Sequence, residues 1–371
     1  MNLFNSGYIL SNKRFGWIDY DRGISIILVT YRHCYEGMEN SGMKMHDYPI
    51  LEYLNYFLFG FRMPLFFIAS GIFVGGSLRK RGLGAYSKNR VQTILYPLLV
   101  WGIIQISLQI LFSAHTNSSM SIRNYLDLLI DPRSTGQFWY LNALFCVGIL
   151  YSFLKVKAKM QLWHQILLGL ALYFFGAYLR TTPIYIGFAM DICKFYFFFA
   201  LGDAVSGYIM SEKAAKTFTS WKFVVPMLVA FFSIQYIFTD INLSKGSDYF
   251  VENNMPLFFL LVAIVGCTVS MIVSFSLKRY QAAPFLRVVG YNSVHIYCMQ
   301  IIAMSVTRLF LTKILHVENI PAIFGISLLC GVMIPMIFYN ICLRFNMWWL
   351  FTLKKPEEEI NYLSSMKTSN A

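Results

Sequence analysis

The chain has 371 residues, of which 57% are hydrophobic and only 13% charged. A soluble domain carries about 25% charged residues, so a water-facing globular surface is excluded for most of this length. The formal charge is +13, but the basic residues stand in short stretches between apolar runs. That arrangement argues against nucleic acid as a partner and follows the bias of cytoplasmic loops in membrane proteins.

Apolar runs of roughly 16–24 residues recur from end to end, the pattern of a polytopic helical membrane protein. The expected fold is an all-α bundle of about ten membrane helices, at 17–36, 54–77, 93–112, 138–154, 164–180, 184–209, 223–238, 256–277, 288–311 and 321–343. Residues 1–16 then form a cytoplasmic segment, 17–343 the membrane domain and 344–371 a cytoplasmic tail. Lys13 and Arg14 precede helix one, and Arg79, Lys80, Arg81, Lys88 and Arg90 follow helix two. Lys155, Lys157 and Lys159 follow helix four, Lys213, Lys216 and Lys222 helix six, Lys278, Arg279 and Arg287 helix eight, and Lys354 and Lys355 helix ten. The alternate loops are poorer in Lys and Arg, which places both termini in the cytoplasm. No small-residue cleavage site follows helix one, so it is expected to stay as an anchor. The outer stretches 37–53, 113–137 and 239–255 are polar and are expected as loops over an outward-facing cavity. The tail opens on the interfacial pair Trp348 and Trp349 and is expected to end disordered.

Helix one carries Arg22 and His33. Eleven residues are about three helical turns, so both side chains share one face, roughly 16 Å apart along the axis. Charged and titratable groups are expensive at membrane depth, which places this face in the bundle interior or in a wet cavity. Asp19 stands three residues before Arg22, within ion-pair reach. An Arg suits phosphate contact, and a His can take a proton from a hydroxyl near neutral pH. His33 is followed by Glu36.

Helix two reads Phe61-Arg62-Met63-Pro64 and then Ala69-Ser70-Gly71. Pro64 kinks it, an inward Arg62 makes it a cavity wall, and Ser70 and Gly71 permit close helix approach. The basic loop Arg79 to Arg90, with Lys88, serves topology or grips phosphates. Trp139 opens helix four at the outer interface. On helix six Asp191 and Lys194, three apart, are expected to neutralise each other. Helix nine offers His295 and Arg308 to the same cavity. The seven cysteines show no CxxC or paired spacing and read as small core hydrophobes. No Walker loop, GxSxG elbow, HExxH or zinc spacing occurs, and no metal is expected. On these residues alone an enzyme and a transporter or flippase for a lipid-linked saccharide both remain open, since intramembrane charges and kinked helices suit either.

Taken in order, several phrases resemble the acyltransferase-3 family of integral membrane acyltransferases, in its fucose O-acetylase-like branch. They are Trp17-Ile18-Asp19 with Arg22-Gly23 and His33; Phe61 to Gly71; Arg90 with Ile94-Leu95-Tyr96-Pro97 and Trp101; Phe138-Trp139-Tyr140-Leu141; Phe197 to Gly202; and Gly290, Asn292, Ser293, Ile296 and Tyr297. The chain departs from the family at Thr93, where a second Arg is usual, and at Arg62 and Gln300, where a His is often found. The resemblance implies transfer of an acetyl or other acyl group from cytosolic acetyl-CoA to a hydroxyl of a cell-envelope polysaccharide or lipid-linked saccharide, in the bacterial inner membrane. It implies His33 as general base, with Arg22, Lys88 and Arg90 on the CoA phosphates. Asp19, Arg62, Ser70, Trp139 and His295 would line the substrate cavity. The oligomeric state stays open.

Overall fold

The structure is a computed structural model and describes residues 4–11, 16–113 and 120–368. Lys13 and Arg14, expected as topogenic charges, lie outside the described residues. The chain is 84% helical, and no strand occurs among the described residues. The principal helices are α1 (Gly16–Glu39), α2 (Phe59–Ile72), α3 (Val74–Arg90), α4 (Tyr96–Leu111), α5 (Trp139–Val156), α6 (Leu162–Arg180) and α7 (Ala189–Ile209). They continue as α8 (Trp221–Lys245), α9 (Pro256–Tyr280), α10 (Phe285–Tyr291), α11 (Ser293–Leu309), α12 (Ile320–Arg344) and α13 (Glu357–Thr368).

Among the described residues nine helices are long and apolar enough to cross a membrane. The tenth expected helix, α1, is also formed and runs 24 residues, about 36 Å. It falls outside those nine because Asp19, Asp21, Arg22, Arg32, Glu36 and Glu39 interrupt its apolar character.

Three expectations are corrected. The basic stretch Arg79 to Arg90 is helical, not a loop: Val74 to Leu111 runs as one 38-residue helical span. Within it the backbone breaks at Gly82, whose φ of 72° and ψ of 170° suit only a residue without a Cβ. A π-helical turn follows at Val91–Leu95. No proline stops the helix before Pro97, and the stretch buries Tyr86 while Arg79, Lys80, Arg81 and Lys88 stay exposed. The outer stretches are also partly helical. α8 runs on to Lys245, where Gly246 caps it in the left-handed region at φ 65°, whereas α7 starts only at Ala189, after Pro183 and a positive-φ Gly187. Finally, the tail folds into α13. Its Glu359 is buried and accepts hydrogen bonds from Asn5 Nδ2 (3.1 Å), Tyr291 Oη (3.0 Å) and Tyr339 Oη (3.1 Å). An apolar face is not needed to order a segment when one buried carboxylate collects three donors.

The chain divides into two compact units. Unit 1 comprises residues 1–51, 96–125 and 280–371, and unit 2 residues 52–95 and 126–279.

In unit 1, α1 packs on α10, α11 and α12. The crossing with α10 brings backbone to backbone: a methyl added at Gly290 would sit on the Asp19 carbonyl oxygen, and one at Gly23 on that of Leu286. Farther along, Cys34, Tyr35 and Met38 of α1 join Met304, Ile323 and Phe324 in a buried apolar cluster. In unit 2, α7 packs on α2 and α6. Here Gly71 meets the Phe199 carbonyl and Gly202 the Ile68 carbonyl, so α2 and α7 also touch through their backbones. Phe67 stacks on Phe195 at 4.4 Å beside this joint. Five of the seven thiols are buried and all are free, in keeping with a packing role.

Candidate active site

Arg22 and His33 both lie on α1, and both are half-buried. The positions between them on the same stripe, Ile26, Val29 and Thr30, are buried. A stripe with a buried middle faces protein rather than lipid. The Gly23–Gly290 joint fixes its lower half by bringing α10 against the turn that carries Asp19 and Arg22.

At the upper end, His33 Nδ1 stands 3.7 Å from Glu36 Oε2. Glu36 also pairs with the buried Arg32, four residues earlier on the helix. His33 Nε2 makes no hydrogen bond among the described residues. A carboxylate facing Nδ1 favours the tautomer that keeps its proton there and leaves Nε2 as the acceptor. One turn below, Thr30 Oγ1 lies 2.8 Å from the Ile26 carbonyl and 2.6 Å from Gln300 Oε1. A hydroxyl has one hydrogen, so both contacts are satisfied when Thr30 donates to Ile26 and the Gln300 amide, turned over, donates to Thr30. Either way one end of the buried Gln300 amide has no partner among the described residues.

α11 supplies the other two candidates of this unit. Arg308 Nη1 donates to the Gly37 carbonyl, which places a cation on the last turn of α1, where the helix dipole and the orphan carbonyls favour it. It thus anchors the His33 end of α1. His295 stacks on Tyr339 (centroids 3.5 Å apart), meets Phe351 edge-on at 5.1 Å, and holds Nδ1 3.2 Å from Asn292 Oδ1. This is an aromatic cage.

Unit 2 holds the remaining sequence candidates. Arg62 is buried, with its guanidinium 4.9 Å from the Phe59 ring centroid. Ser70 is half-buried beside Gly71 at the α2–α7 joint. Arg90 Nε donates to Tyr86 Oη at 2.9 Å, and the phenol packs towards Gly148 of α5. The two terminal nitrogens of Arg90 make no hydrogen bond among the described residues, and Lys88 is exposed without a partner there. Thr93, at the family's second-Arg position, is exposed and returns its hydroxyl to the Asn89 carbonyl. Trp139 stacks on Phe195 at 5.6 Å and lies under the Arg133 guanidinium at 4.2 Å.

The expected Asp191–Lys194 pair does not form. Asp191 accepts from Arg133 Nε at 3.0 Å, and Lys194 pairs with Glu252. Side chains three apart on α7 diverge enough that each finds a partner on another segment, as a buried charge requires. Burial alone would raise the Glu252 carboxyl, but the Lys194 ammonium, with Arg180 and Arg133 near it, reverses this and holds the group below the usual carboxylate range. Asp203 of α7 is likewise taken, by Lys155 and the Tyr151 hydroxyl. Sequence reasoning missed Arg32, Thr30 and Arg133. The i, i+4 spacing of Arg32 and Glu36 was the one available signal.

Asp19, Arg22, His33 and His295 therefore belong to unit 1, and Arg62, Ser70, Lys88, Arg90 and Trp139 to unit 2.

Residues 15–340 match a family model described as an acyltransferase domain, that of the acyltransferase-3 family. The chain is also 23% identical over 249 residues to the nodulation protein NolL of Mesorhizobium japonicum, covering 67% of this chain and 61% of that protein. It thus spans about three fifths of the length of this curated relative. No solved structure matches.

Proposed function

Because this chain belongs to the acyltransferase-3 family, we propose that it is a multi-pass O-acetyltransferase of the bacterial inner membrane. It moves an acetyl group from cytosolic acetyl-CoA to a hydroxyl of a cell-envelope polysaccharide or lipid-linked saccharide. Membership of an acyltransferase family favours group transfer over the transport of a lipid-linked sugar.

The observation that carries the reading is His33: one ring nitrogen faces a carboxylate, the other makes no hydrogen bond among the described residues, and Arg22 lies on the same stripe of α1, whose middle is buried. His33 Nε2 accepts the proton of the acceptor hydroxyl as its oxygen attacks the thioester carbonyl. The new C–O bond forms, the C–S bond breaks, and the leaving thiolate of CoA takes the proton back from the imidazolium. Glu36, held by Arg32, orients the ring from its Nδ1 side. Arg22, and in unit 2 Arg90 and Lys88, supply cations of the kind that hold phosphates.

A positioned base is worth roughly 100- to 10,000-fold in rate. His33→Ala should therefore lose acetyl transfer to that extent while its level in the membrane stays normal. Acetylation near the wild-type rate in that variant would remove His33 from the chemistry.

A further inference from the structure

At one end of unit 2, between the last turn of α9, the start of α8 and the short helix Glu212–Phe218, lies a crevice of about 480 Å3. Lys216, Lys278 and Arg279 give its wall three cations, Thr219 and Ser220 give two hydroxyls, and Phe275 lies at its base; none of its lining is acidic. Arg279 Nη1 donates to Thr219 Oγ1 at 2.9 Å, which holds the guanidinium to the wall. Lys216 and Lys278 have no hydrogen bond or ion pair among the described residues. Phe275 is buried and stacks on Phe218 at 5.2 Å, so the base is firm and apolar. Ser220 precedes α8, a 25-residue helix, yet its hydroxyl makes no capping bond.

Lys216, Lys278 and Arg279 are exposed, so water and salt screen their mutual repulsion in part, and an anion seated among them relieves the rest. Elsewhere in this unit the buried Lys194 and the exposed Arg133 each meet a carboxylate of the chain itself; no residue that lines this crevice is acidic. Cations combined with hydroxyls suit a tetrahedral anion whose several oxygens accept at once. The crevice also stands at the ends of two membrane-spanning helices, α8 and α9, where headgroups lie.

We propose that this crevice binds a phosphate group, carried either by the headgroup of an anionic lipid or by a soluble phosphate. The site is independent of the acyl transfer proposed for His33, and its test reads binding, so either idea can fail alone.

The full-length protein, in nanodiscs of phosphatidylcholine or of phosphatidylglycerol, is treated with an amine-reactive label and each lysine is read by peptide mass spectrometry. Lys216 and Lys278 should label roughly fivefold more slowly in phosphatidylglycerol than in phosphatidylcholine if the source is a lipid headgroup, the effect of about one surface cation's worth of binding. If the source is soluble, the same protection appears in phosphatidylcholine on adding inorganic phosphate at constant ionic strength. Lys222, which does not line the crevice, should be unaffected in both. Equal protection of Lys222, or no protection of Lys216 and Lys278 in either arm, overturns the proposal. As a second measurement on the same carriers, Thr219→Ala/Ser220→Ala keeps every charge but removes both hydroxyls. It should lose most of the protection; full retention would reduce the site to diffuse surface charge and overturn it too.

Discussion

Unit 1 joins α1 to α10 through Gly23 and Gly290, and unit 2 joins α2 to α7 through Gly71 and Gly202, but the polar groups around the two joints are disposed differently. In unit 2 the charges of α7 are matched by partners from other segments: Asp191 by Arg133, Lys194 by Glu252, Asp203 by Lys155. In unit 1, His33 meets a carboxylate of its own helix, and its other nitrogen makes no hydrogen bond among the described residues. An intramembrane charge closed by another element holds the fold, whereas a titratable group left open on one side is available for chemistry. The family phrases divide the same way. Gly23, Gly71, Gly202 and Gly290 are packing devices, and of these phrases it is the first that also carries His33, the proposed base.

The comparison breaks most violently at the joints. Gly290→Val and Gly71→Val place a side chain on a carbonyl oxygen of the facing helix, and both should abolish recovery of monodisperse protein in detergent. Gly207→Ala and Gly76→Ala, in open space, should behave as wild type by the same chromatography.

Next come the closed charges. Lys194→Met strands a buried carboxylate, and breaking such a pair costs about 3–5 kcal/mol, read as a fall in Tm. Lys194→Met/Glu252→Leu should recover much of it, because no charge is then left alone. The pair also sets an acid limit. The Glu252 pKa is lowered from 4.5 on folding, so its stabilisation is present above that value and is lost as pH falls through the lower folded value. The double variant should show a shallower loss of Tm in acid; an unchanged acid profile would remove Glu252 from that role.

The open stripe should answer in kinetics rather than in stability. Arg22→Ala should raise KM for acetyl-CoA roughly 10- to 100-fold, the worth of a charge-assisted hydrogen bond, with the acceptor KM little changed. The opposite pattern would reassign Arg22 to the acceptor. Smallest is Lys88→Ala: an exposed cation is worth at most about fivefold on the acetyl-CoA KM, and the difference should vanish in high salt.

The membrane helices were legible because apolar length is a local property of the chain. The helical nature of Arg79 to Arg90 was not: its charges hid a segment in which only Tyr86 is buried. The Arg22–His33 stripe could be read from spacing alone, since both residues sit on one uninterrupted helix. The partners of Asp191 and Lys194 could not, because Arg133 and Glu252 each lie 58 residues away along the chain and only tertiary packing selects them. The assignment of Lys88 and Arg90 to one unit and Arg22 to the other was equally invisible, since nothing local records which helices pack together.

Glu359 stitches the two extremities of the polypeptide together, with Asn5 on one oxygen and Tyr291 and Tyr339 on the other. Shortening the chain to residue 355 would therefore remove the carboxylate that two phenols and an amide share, Tyr339 being the same ring on which His295 is stacked. Purification handles fused to either extremity will be felt at that knot, and a cleavable one is the safer choice.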